Sequence, residues 1–306
     1  MSAPLLIYET IHGSRAYGLE TPESDTDRKG VIIGPRRWYL SYQPGPEQVE
    51  LHADHVRYEL RKFIRLAVAA NPTILELMWT DSAVQEVVTP LGERLLAARD
   101  AFLSRRAEGS FCGYAMSQLG RIKTHRRWLL SPPQAEPTRA DFGLPERTTI
   151  PRDQLGAAEA MIADGRVDEA ALTPNFLAVL DRERRYRAAR KEWESYRGWL
   201  RHRNSRRAEL EARFGYDTKH AMHLVRLLRM GKEILERGEV IVRRPDADEL
   251  RAIRAGALSY DALIEQAEAI TATIRATKRT SPLPEAPDEP AIEALCESLL
   301  ADGLAL

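Results

Sequence analysis

The spacing of hydrophobic and polar positions changes near residue 59. Before it, short apolar runs at Leu5–Tyr8 and Gly30–Ile33 predict two buried strands. A mixed run at 48–58 predicts a third strand, in which residues two apart share a face. Asp54 lies within this strand-like run and invites a functional interpretation. The first part of the chain is therefore predicted to form a small sheet.

After residue 59 the apolar residues recur at helical spacing. In the second half, Asp217 and Gly238 are predicted to begin and end one helix, and a short strand is predicted at 239–242. Glu76, between two leucines, is expected to have a structural role. Together these patterns predict an α+β fold, in which a small sheet precedes a mainly helical C-terminal part. The main helices are predicted at 59–70, 73–79, 89–106, 111–130, 216–238 and 260–279.

Polar and proline-rich stretches mark the predicted domain boundaries. Residues 131–152 contain few large apolar side chains and are interpreted as a connecting loop. A core with flanking helices is expected at 1–130 and a helical domain at 153–280. The proline-rich linker and a terminal acidic helix then occupy 281–306.

Composition excludes several classes of protein. The 306 residues include 45 Lys and Arg and 45 Asp and Glu, so the net charge does not indicate attraction of the whole molecule to nucleic acid. The two cysteines, Cys112 and Cys296, are far apart and outside any CxxC motif, which argues against a zinc site or a disulfide framework. The chain has no apolar segment of membrane-spanning length and no signal-peptide pattern, so we expect a cytoplasmic protein.

Residues 13–27 are suited to phosphate and metal chemistry. Gly13 lacks a Cβ, so its backbone can turn sharply and approach a phosphate, while Ser14 offers a hydroxyl and an N–H. Asp25 and Asp27 are two residues apart at the predicted start of a strand and therefore face one side. Two such carboxylates can hold a hard cation such as Mg²⁺.

Two other stretches are rich in cations. Lys219, His223 and Arg226 lie on one stripe near a predicted helix start, which favours anions, although a solvated helix face is the alternative. Residues 182–213 carry twelve Lys or Arg against five Glu, interleaved with Tyr and Trp. This pattern fits nucleic-acid binding and equally fits a helix whose aromatic residues pack inward.

Three ordered blocks carry a family resemblance: HGSRAYGLETPESDTDRKGV, ELRKFIRLAVAANPTILELMW and YDTKHAMHLVRLLRMGKEIL. The first, with its GS turn and DxD pair, resembles the polymerase-beta nucleotidyltransferase superfamily, which implies a small mixed sheet flanked by helices. Together the blocks resemble the RNA-repair-associated members found beside RNA ligases in some bacteria. The resemblance covers about residues 5–80 and 185–290.

The resemblance implies a role for each motif residue. Gly13 and Ser14 would hold the β- and γ-phosphates of a nucleoside triphosphate, and Asp25 and Asp27 would coordinate two Mg²⁺ ions, with Mn²⁺ as an alternative. A third carboxylate completes such a site, for which we choose Asp54. The alternatives for it are Glu59 and Glu50. Cations of the helical part, Lys219, His223 and Arg226, would reach the triphosphate.

The implied activity is template-independent transfer of a nucleoside monophosphate to a hydroxyl, with release of pyrophosphate. The family implies an RNA end as acceptor and a functional link to an RNA ligase. A protein or small-molecule hydroxyl is the alternative acceptor. A catalytically silent module that binds nucleotide or RNA is a third hypothesis, which the presence of both Asp25 and Asp27 disfavours.

Overall fold

The computed structural model describes residues 3–147, 174–203 and 205–306, together with Gly156, Ala160, Met161 and Asp164. The chain divides into two compact units, of which the first combines residues 1–123 with 213–306 and the second contains 124–212. The C-terminal helices thus belong to the same unit as the N-terminal sheet. This grouping differs from the sequence-based division, which placed a boundary at 131–152 and assigned 153–280 to one domain.

The first unit contains a mixed five-stranded sheet in the order β3-β4-β2-β1-β5. The pair β2 and β4 is parallel, whereas β1 with β2, β1 with β5 and β3 with β4 are antiparallel. With the helices that follow, this sheet confirms the predicted α+β class. The strands are β1 Leu5–His12, β2 Asp27–Ile33, β3 Gln48–His52, β4 His55–Glu59 and β5 Gln85–Val88.

Local capping accounts for where many helices begin. Asn71, Thr89 and Asp217 each accept a backbone hydrogen bond as the N-cap of the helix that follows. Gly238 ends the helix that Asp217 begins and has a φ of 70°, as predicted. The helices of the first unit, including those that continue into the second, are α1 Ser14–Tyr17, α2 Arg37–Leu40, α3 Leu60–Val68, α4 Pro72–Met78, α5 Pro90–Ala97, α6 Arg106–Leu130, α8 Ser205–Phe214, α9 Thr218–Arg237, α10 Ala247–Arg254, α11 Tyr260–Thr277 and α12 Glu289–Ala305.

The core of the first unit joins segments that are distant in sequence. Helix α9 is buried along most of its length and packs against α10 and α11. Gly231 of α9 approaches α6 so closely that an added Cβ would lie 2.9 Å from the Cβ of Phe111. Helix α12 packs on the sheet, where Gly303 lies against Ile33. The sheet is therefore covered by helices from both ends of the chain.

In the second unit, the long helix α7 (Pro174–His202) contains most of the basic stripe identified in the sequence. Its ring centroids at Tyr196 and Trp199 lie 5.6 and 5.5 Å from that of Trp128, which is buried. Trp193 continues the cluster at 6.0 Å from Tyr196. These contacts favour the packing interpretation of the aromatic residues.

Three sequence-based assignments differ from the structure or lie outside it. The run at 48–58 is a hairpin rather than one strand, and Asp54 lies in its turn. No strand forms at 239–242, where the chain leaves α9 and its backbone does not pair with the sheet. Of the helical domain expected at 153–280, most of residues 153–173 lie outside the described part of the chain. A membrane-spanning helix is absent from the described residues, because none of their helices combines sufficient length with sufficient apolar character.

Candidate active site

The backbone turn after β1 forms the centre of the candidate site. Gly13 has φ 70° and ψ −146°, and Gly18 closes α1 in the left-handed region. The Tyr17 N–H donates to the Gly13 carbonyl at 3.1 Å, and the Leu19 N–H donates to the Ser14 carbonyl at 2.8 Å. Within the described chain, no group hydrogen-bonds the Ser14 hydroxyl. The turn therefore has the sharp geometry predicted from Gly13, and its hydroxyl is available to a ligand.

The missing Cβ of Gly13 is required by its neighbour Asp27. A Cβ added at Gly13 would lie 2.2 Å from Oδ2 of Asp27. The two residues are brought together because His12, just before the turn, is paired with Asp27 in the antiparallel ladder. A carboxylate oxygen thus lies directly against the turn.

Asp25 and Asp54 lie at the same edge of the sheet. Asp25 is exposed and precedes β2 by two residues, rather than lying within the strand as expected. Asp54 precedes β4, whose first residue His55 is level with Arg28 in the parallel ladder, and the Arg28 N–H donates to the Asp54 carbonyl at 2.7 Å. The ends of three strands therefore place Gly13, Asp27 and Asp54 along one edge.

These three acids differ from the other acids of the sheet. As far as the described residues show, the carboxylates of Asp25, Asp27 and Asp54 have no hydrogen-bond or ion-pair partner. Their oxygens do not all lie within 4.8 Å of one another, so a bound cation would have to draw them together. Unpartnered carboxylates beside a turn provide the oxygen ligands that Mg²⁺ prefers, so the donor set fits the implied metal.

The two alternative third acids have other positions. Glu59 is buried and caps α3, since it accepts from the backbone N–H groups of Arg61 and Lys62 and from the hydroxyl of Tyr39 at 2.9 Å. Glu50 is exposed on β3 and accepts from Gln48. Of the three candidates, Asp54 shares the sheet edge with the turn, and its role as third acid remains a prediction.

A buried ionic network centred on Glu76 supports the turn from the core of the first unit. The carboxylate of Glu76, which is 1% exposed, accepts from Nη1 of Arg226 at 2.6 Å and from the hydroxyl of Tyr17. Nε2 of His12 lies 3.0 Å from the same carboxylate, and the Arg226 guanidinium lies 3.8 Å from the Tyr17 ring centroid. The structural role expected for Glu76 is thus confirmed, and it links the turn to α9.

The charge of Glu76 is stabilised by this arrangement. Burial by itself would raise the pKa of a carboxyl group, but the charge of Arg226 and the hydrogen bonds from His12 and Tyr17 outweigh it and lower the pKa of Glu76 to about 2. Burial also raises the pKa of Tyr17 well above its usual value, so its hydroxyl remains a donor. Glu76 is therefore ionised throughout the physiological range.

The predicted cationic stripe begins beside this network. Arg226, a candidate triphosphate ligand, is buried and paired with Glu76, while its Nε has no hydrogen-bond partner among the described residues. Burial and then the charges of Arg226 and Lys219 lower the pKa of His223 well below its usual value, so His223 is neutral at pH 7. Lys219 is half-buried one helical turn before His223. The stripe thus provides a positive charge at Lys219, a neutral imidazole and a compensated Arg226.

Contacts from the C-terminal segment complete the support of the turn. The Arg244 N–H donates to the Tyr17 carbonyl at 3.0 Å, and Nη2 of Arg251 donates to the Gly18 carbonyl at 2.7 Å. Nη2 of Arg15 donates to the Ser24 carbonyl at 3.0 Å and fixes the loop toward Asp25. These residues and His12 were not identified as partners from the sequence. Glu76 could be identified from the sequence because it is an acid in an apolar helix, whereas no local signal marks His12 or the three arginines.

Replacing Gly13 by alanine tests the close approach of the turn and Asp27. The added methyl group meets the Asp27 carboxylate and the positive φ disfavours an L-residue, so we expect the free energy of unfolding to fall by about 1–2 kcal/mol. Thermal unfolding measures this loss. Gly109→Ala is the matched control, because no atom lies within 4 Å of a Cβ added there in α6. We expect this control to unfold at the same or a higher temperature, and an equal loss in both variants would contradict the assignment.

The comparisons with known proteins bear on the family resemblance. Residues 3–129 match the model of the RNA repair pathway DNA polymerase beta family, RlaP, which confirms the resemblance over that part of the chain. The chain is 30% identical over 101 residues to the uncharacterized protein YcgL of Bacillus subtilis (strain 168), a match covering 32% of this chain and 39% of that protein. It is 25% identical over 125 residues to an uncharacterized 38.9 kDa protein of Enterobacteria phage T4, encoded in the nrdC-mobD intergenic region, with 37% of each chain covered. The chain thus spans less than half the length of these curated relatives. No solved structure matches it.

Proposed function

We propose that this protein, whose residues 3–129 match a polymerase-beta family of RNA repair, is a nucleotidyltransferase that moves a nucleoside monophosphate from a nucleoside triphosphate to a hydroxyl group. The observation that carries this proposal is that Gly13, Asp27 and Asp54 lie at the ends of three neighbouring strands, along one side of the sheet. The carboxylates of Asp27 and Asp54 lack partners among the described residues, whereas Glu59 and Glu76 in the same unit are buried and paired. Carboxylates without partners beside a phosphate-binding turn offer the oxygen ligands that Mg²⁺ prefers.

In this proposal the chain positions the triphosphate and the metal ions. The N–H and hydroxyl of Ser14, with the open backbone at Gly13, bind the β- and γ-phosphates. Asp25, Asp27 and Asp54 hold two Mg²⁺ ions, for which Mn²⁺ is an alternative. When bound, the ions lower the pKa of the attacking hydroxyl and neutralise the pyrophosphate that leaves. Asp54 additionally orients the attacking hydroxyl toward the α-phosphorus.

The helical cations have unequal parts in this proposal. Lys219 supplies a positive charge to the triphosphate, and neutral His223 supplies a hydrogen bond. The charge of Arg226 is compensated mainly by Glu76. Its guanidinium packs on the ring of Tyr17, so Arg226 affects phosphate binding by holding the turn in place. Phosphate contact is assigned first to Lys219 and His223 because they lie nearer the start of α9, where the helix dipole favours anions.

The proposed acceptor is the hydroxyl at an RNA end. Support comes from the description of the matched family, which places it in an RNA repair pathway. A functional link to an RNA ligase follows as part of the same proposal, because an end that gains a nucleotide is a substrate for joining. No observation favours a protein or small-molecule acceptor, and these are outcomes of the test below.

Nucleoside triphosphates labelled at the α- or γ-phosphorus test the reaction. The protein is incubated with Mg²⁺ and each labelled triphosphate, offered separately with RNA bearing a 3′-hydroxyl, RNA blocked by a 3′-phosphate, total protein, or no acceptor. We expect α-label on the unblocked RNA and γ-label in released pyrophosphate. Label on protein alone would refute the RNA acceptor, and triphosphate binding without transfer to any acceptor would show a silent binding module.

A further inference from the structure

An open cleft in the first unit is not used by the proposed phosphate and metal site. Its volume is about 780 Å³, within the range of roughly 300–1,000 Å³ that is usual for ligand pockets. Leu103, Val240 and Leu283 form apolar walls, and the half-buried indole of Trp79 provides an aromatic surface. The guanidinium of Arg99 lies 5.3 Å from the Trp79 ring centroid. Aromatic rings and guanidinium planes are the surfaces on which nucleobases stack in proteins.

Three charged side chains that line the cleft are available to a ligand. Within the described ranges, the carboxylates of Asp100 and Glu239 and the guanidinium of Arg243 make no hydrogen bond or ion pair. All three residues are exposed. Carboxylates only accept hydrogen bonds, so Asp100 and Glu239 suit a ligand edge that carries N–H donors. The guanidinium only donates and suits a phosphate or a ribose hydroxyl.

The cleft adjoins the turn that is proposed to bind phosphate. Cγ of Arg243 lies 3.8 Å from the position of a Cβ at Gly18, and the next residue, Arg244, donates its N–H to Tyr17. Gly13 and Gly18 are separated by little more than one helical turn, a rise of about 7 Å. Arg243 therefore lies both in the lining of the cleft and against the end of this turn.

We infer that this cleft binds a nucleobase that carries an exocyclic amino group, with guanine as the best match, because its N1–H and N2 amino group both face one edge as donors. The base stacks on Trp79 and donates to Asp100 or Glu239, while Arg243 contacts its ribose or phosphate. This inference rests on the proposed function and gives it base selectivity. The base belongs either to the incoming triphosphate or to the terminal nucleotide of the acceptor.

Equilibrium binding of nucleoside monophosphates tests the cleft without any chemistry. Calorimetry is performed with GMP, AMP, CMP and UMP, and with inorganic triphosphate as a probe of the turn. We expect GMP to bind most tightly and UMP most weakly. Trp79→Leu and the double variant Asp100→Asn with Glu239→Gln should each weaken GMP binding about tenfold while changing triphosphate binding less than twofold. Trp79→Phe, which keeps an aromatic ring, should retain most of the affinity for GMP.

A matched control and a catalytic comparison complete the experiment. Glu265→Gln removes an exposed acid on α11 outside the cleft and should bind GMP like the wild type. In the transfer assay, the cleft variants are compared with the wild type. A higher KM for GTP with an unchanged KM for RNA assigns the base to the triphosphate, and a higher KM for RNA with an unchanged KM for GTP assigns it to the acceptor. Equal GMP binding by wild type and by folded Trp79 and Asp100–Glu239 variants overturns the inference. Trp79-dependent binding without transfer supports the cleft and contradicts the proposed function, so the two can fail separately.

Discussion

Replacing Asp25 and Asp27 together by asparagine is expected to lower nucleotide transfer by about a thousandfold or more. The substitutions keep the size of each side chain but remove two of the charges that would hold the metal ions, whose electrostatic stabilisation amounts to several kcal/mol. Both carboxylates lack partners in the described structure, so their loss removes no stabilising contact. The free energy of unfolding is expected to stay the same or to rise slightly as repulsion decreases. Transfer of α-labelled nucleotide and thermal unfolding are the two measurements.

The control for this variant removes the same amount of charge elsewhere in the first unit. Glu20→Gln combined with Asp261→Asn changes two exposed acids, one close to the turn and one in α11. Transfer by this control should remain within about twofold of the wild type, since neither acid belongs to the proposed metal site and exposed charges are screened by solvent and salt. Transfer retained by the folded Asp25–Asp27 variant would refute the proposed metal site.

Replacing Glu76 by glutamine is expected to lower the free energy of unfolding by about 3–5 kcal/mol, because it leaves the buried guanidinium of Arg226 without a countercharge. The same change loosens Tyr17, whose hydroxyl donates to Glu76. Because Tyr17 ends the turn, we expect a higher KM for the triphosphate as well as lower stability. Denaturant unfolding and transfer kinetics below the unfolding temperature measure the two effects.

The pH dependence of this variant provides an independent measurement. The pKa of Glu76 is lowered to about 2 from an ordinary value of 4.5, so the unfolded state binds the proton more readily. The stabilisation by Glu76 is therefore complete above pH 4.5 and is lost as the pH falls toward 2, an effect of about 3 kcal/mol. Glu76→Gln should accordingly lose less stability than the wild type between pH 5 and pH 2.

Glu9→Gln is a matched control for Glu76. Glu9 is also buried and also pairs with an arginine and a histidine, since its carboxylate accepts from Arg57 at 2.6 Å and lies 2.7 Å from His55. It makes no contact with the turn in the described structure. Glu9→Gln should therefore lower stability without a comparable change in KM. An equal rise of KM in both variants would show that Glu76 acts through general stability rather than through the turn.

Features with local causes could be predicted from the sequence. The ends of α9 were predicted because Asp217 and Gly238 satisfy backbone groups within one turn of themselves. The presence of a small sheet was predicted from short apolar runs, and its mixed character from the family resemblance. The sharp turn was predicted from the conformational freedom of Gly13. The hairpin at Asp54 was predicted wrongly, because strand alternation continues on both sides of a two-residue turn that contains neither glycine nor proline.

The support of the candidate site could not be predicted in the same way. Glu76 and Arg226 are 150 residues apart, and Arg251 reaches Gly18 across 233 residues. The helical spacing of Lys219, His223 and Arg226 placed them correctly on one stripe but did not show that Arg226 is compensated by a distant acid. Such pairings depend on how the C-terminal helices pack on the N-terminal sheet, which no local pattern encodes.

The division of the first unit between two separate stretches of chain has a consequence for synthesis on the ribosome. Residues 124–212 must emerge before the segment that begins at 213 and supplies Arg226. Until then the nascent sheet has Glu76 without its countercharge, and the turn lacks the carbonyl contacts from Arg244 and Arg251. Residues 3–129, the part that matches the family, therefore lack the contacts with 213–306 that complete the first unit. The newborn chain can complete the first unit only when the last third has been translated.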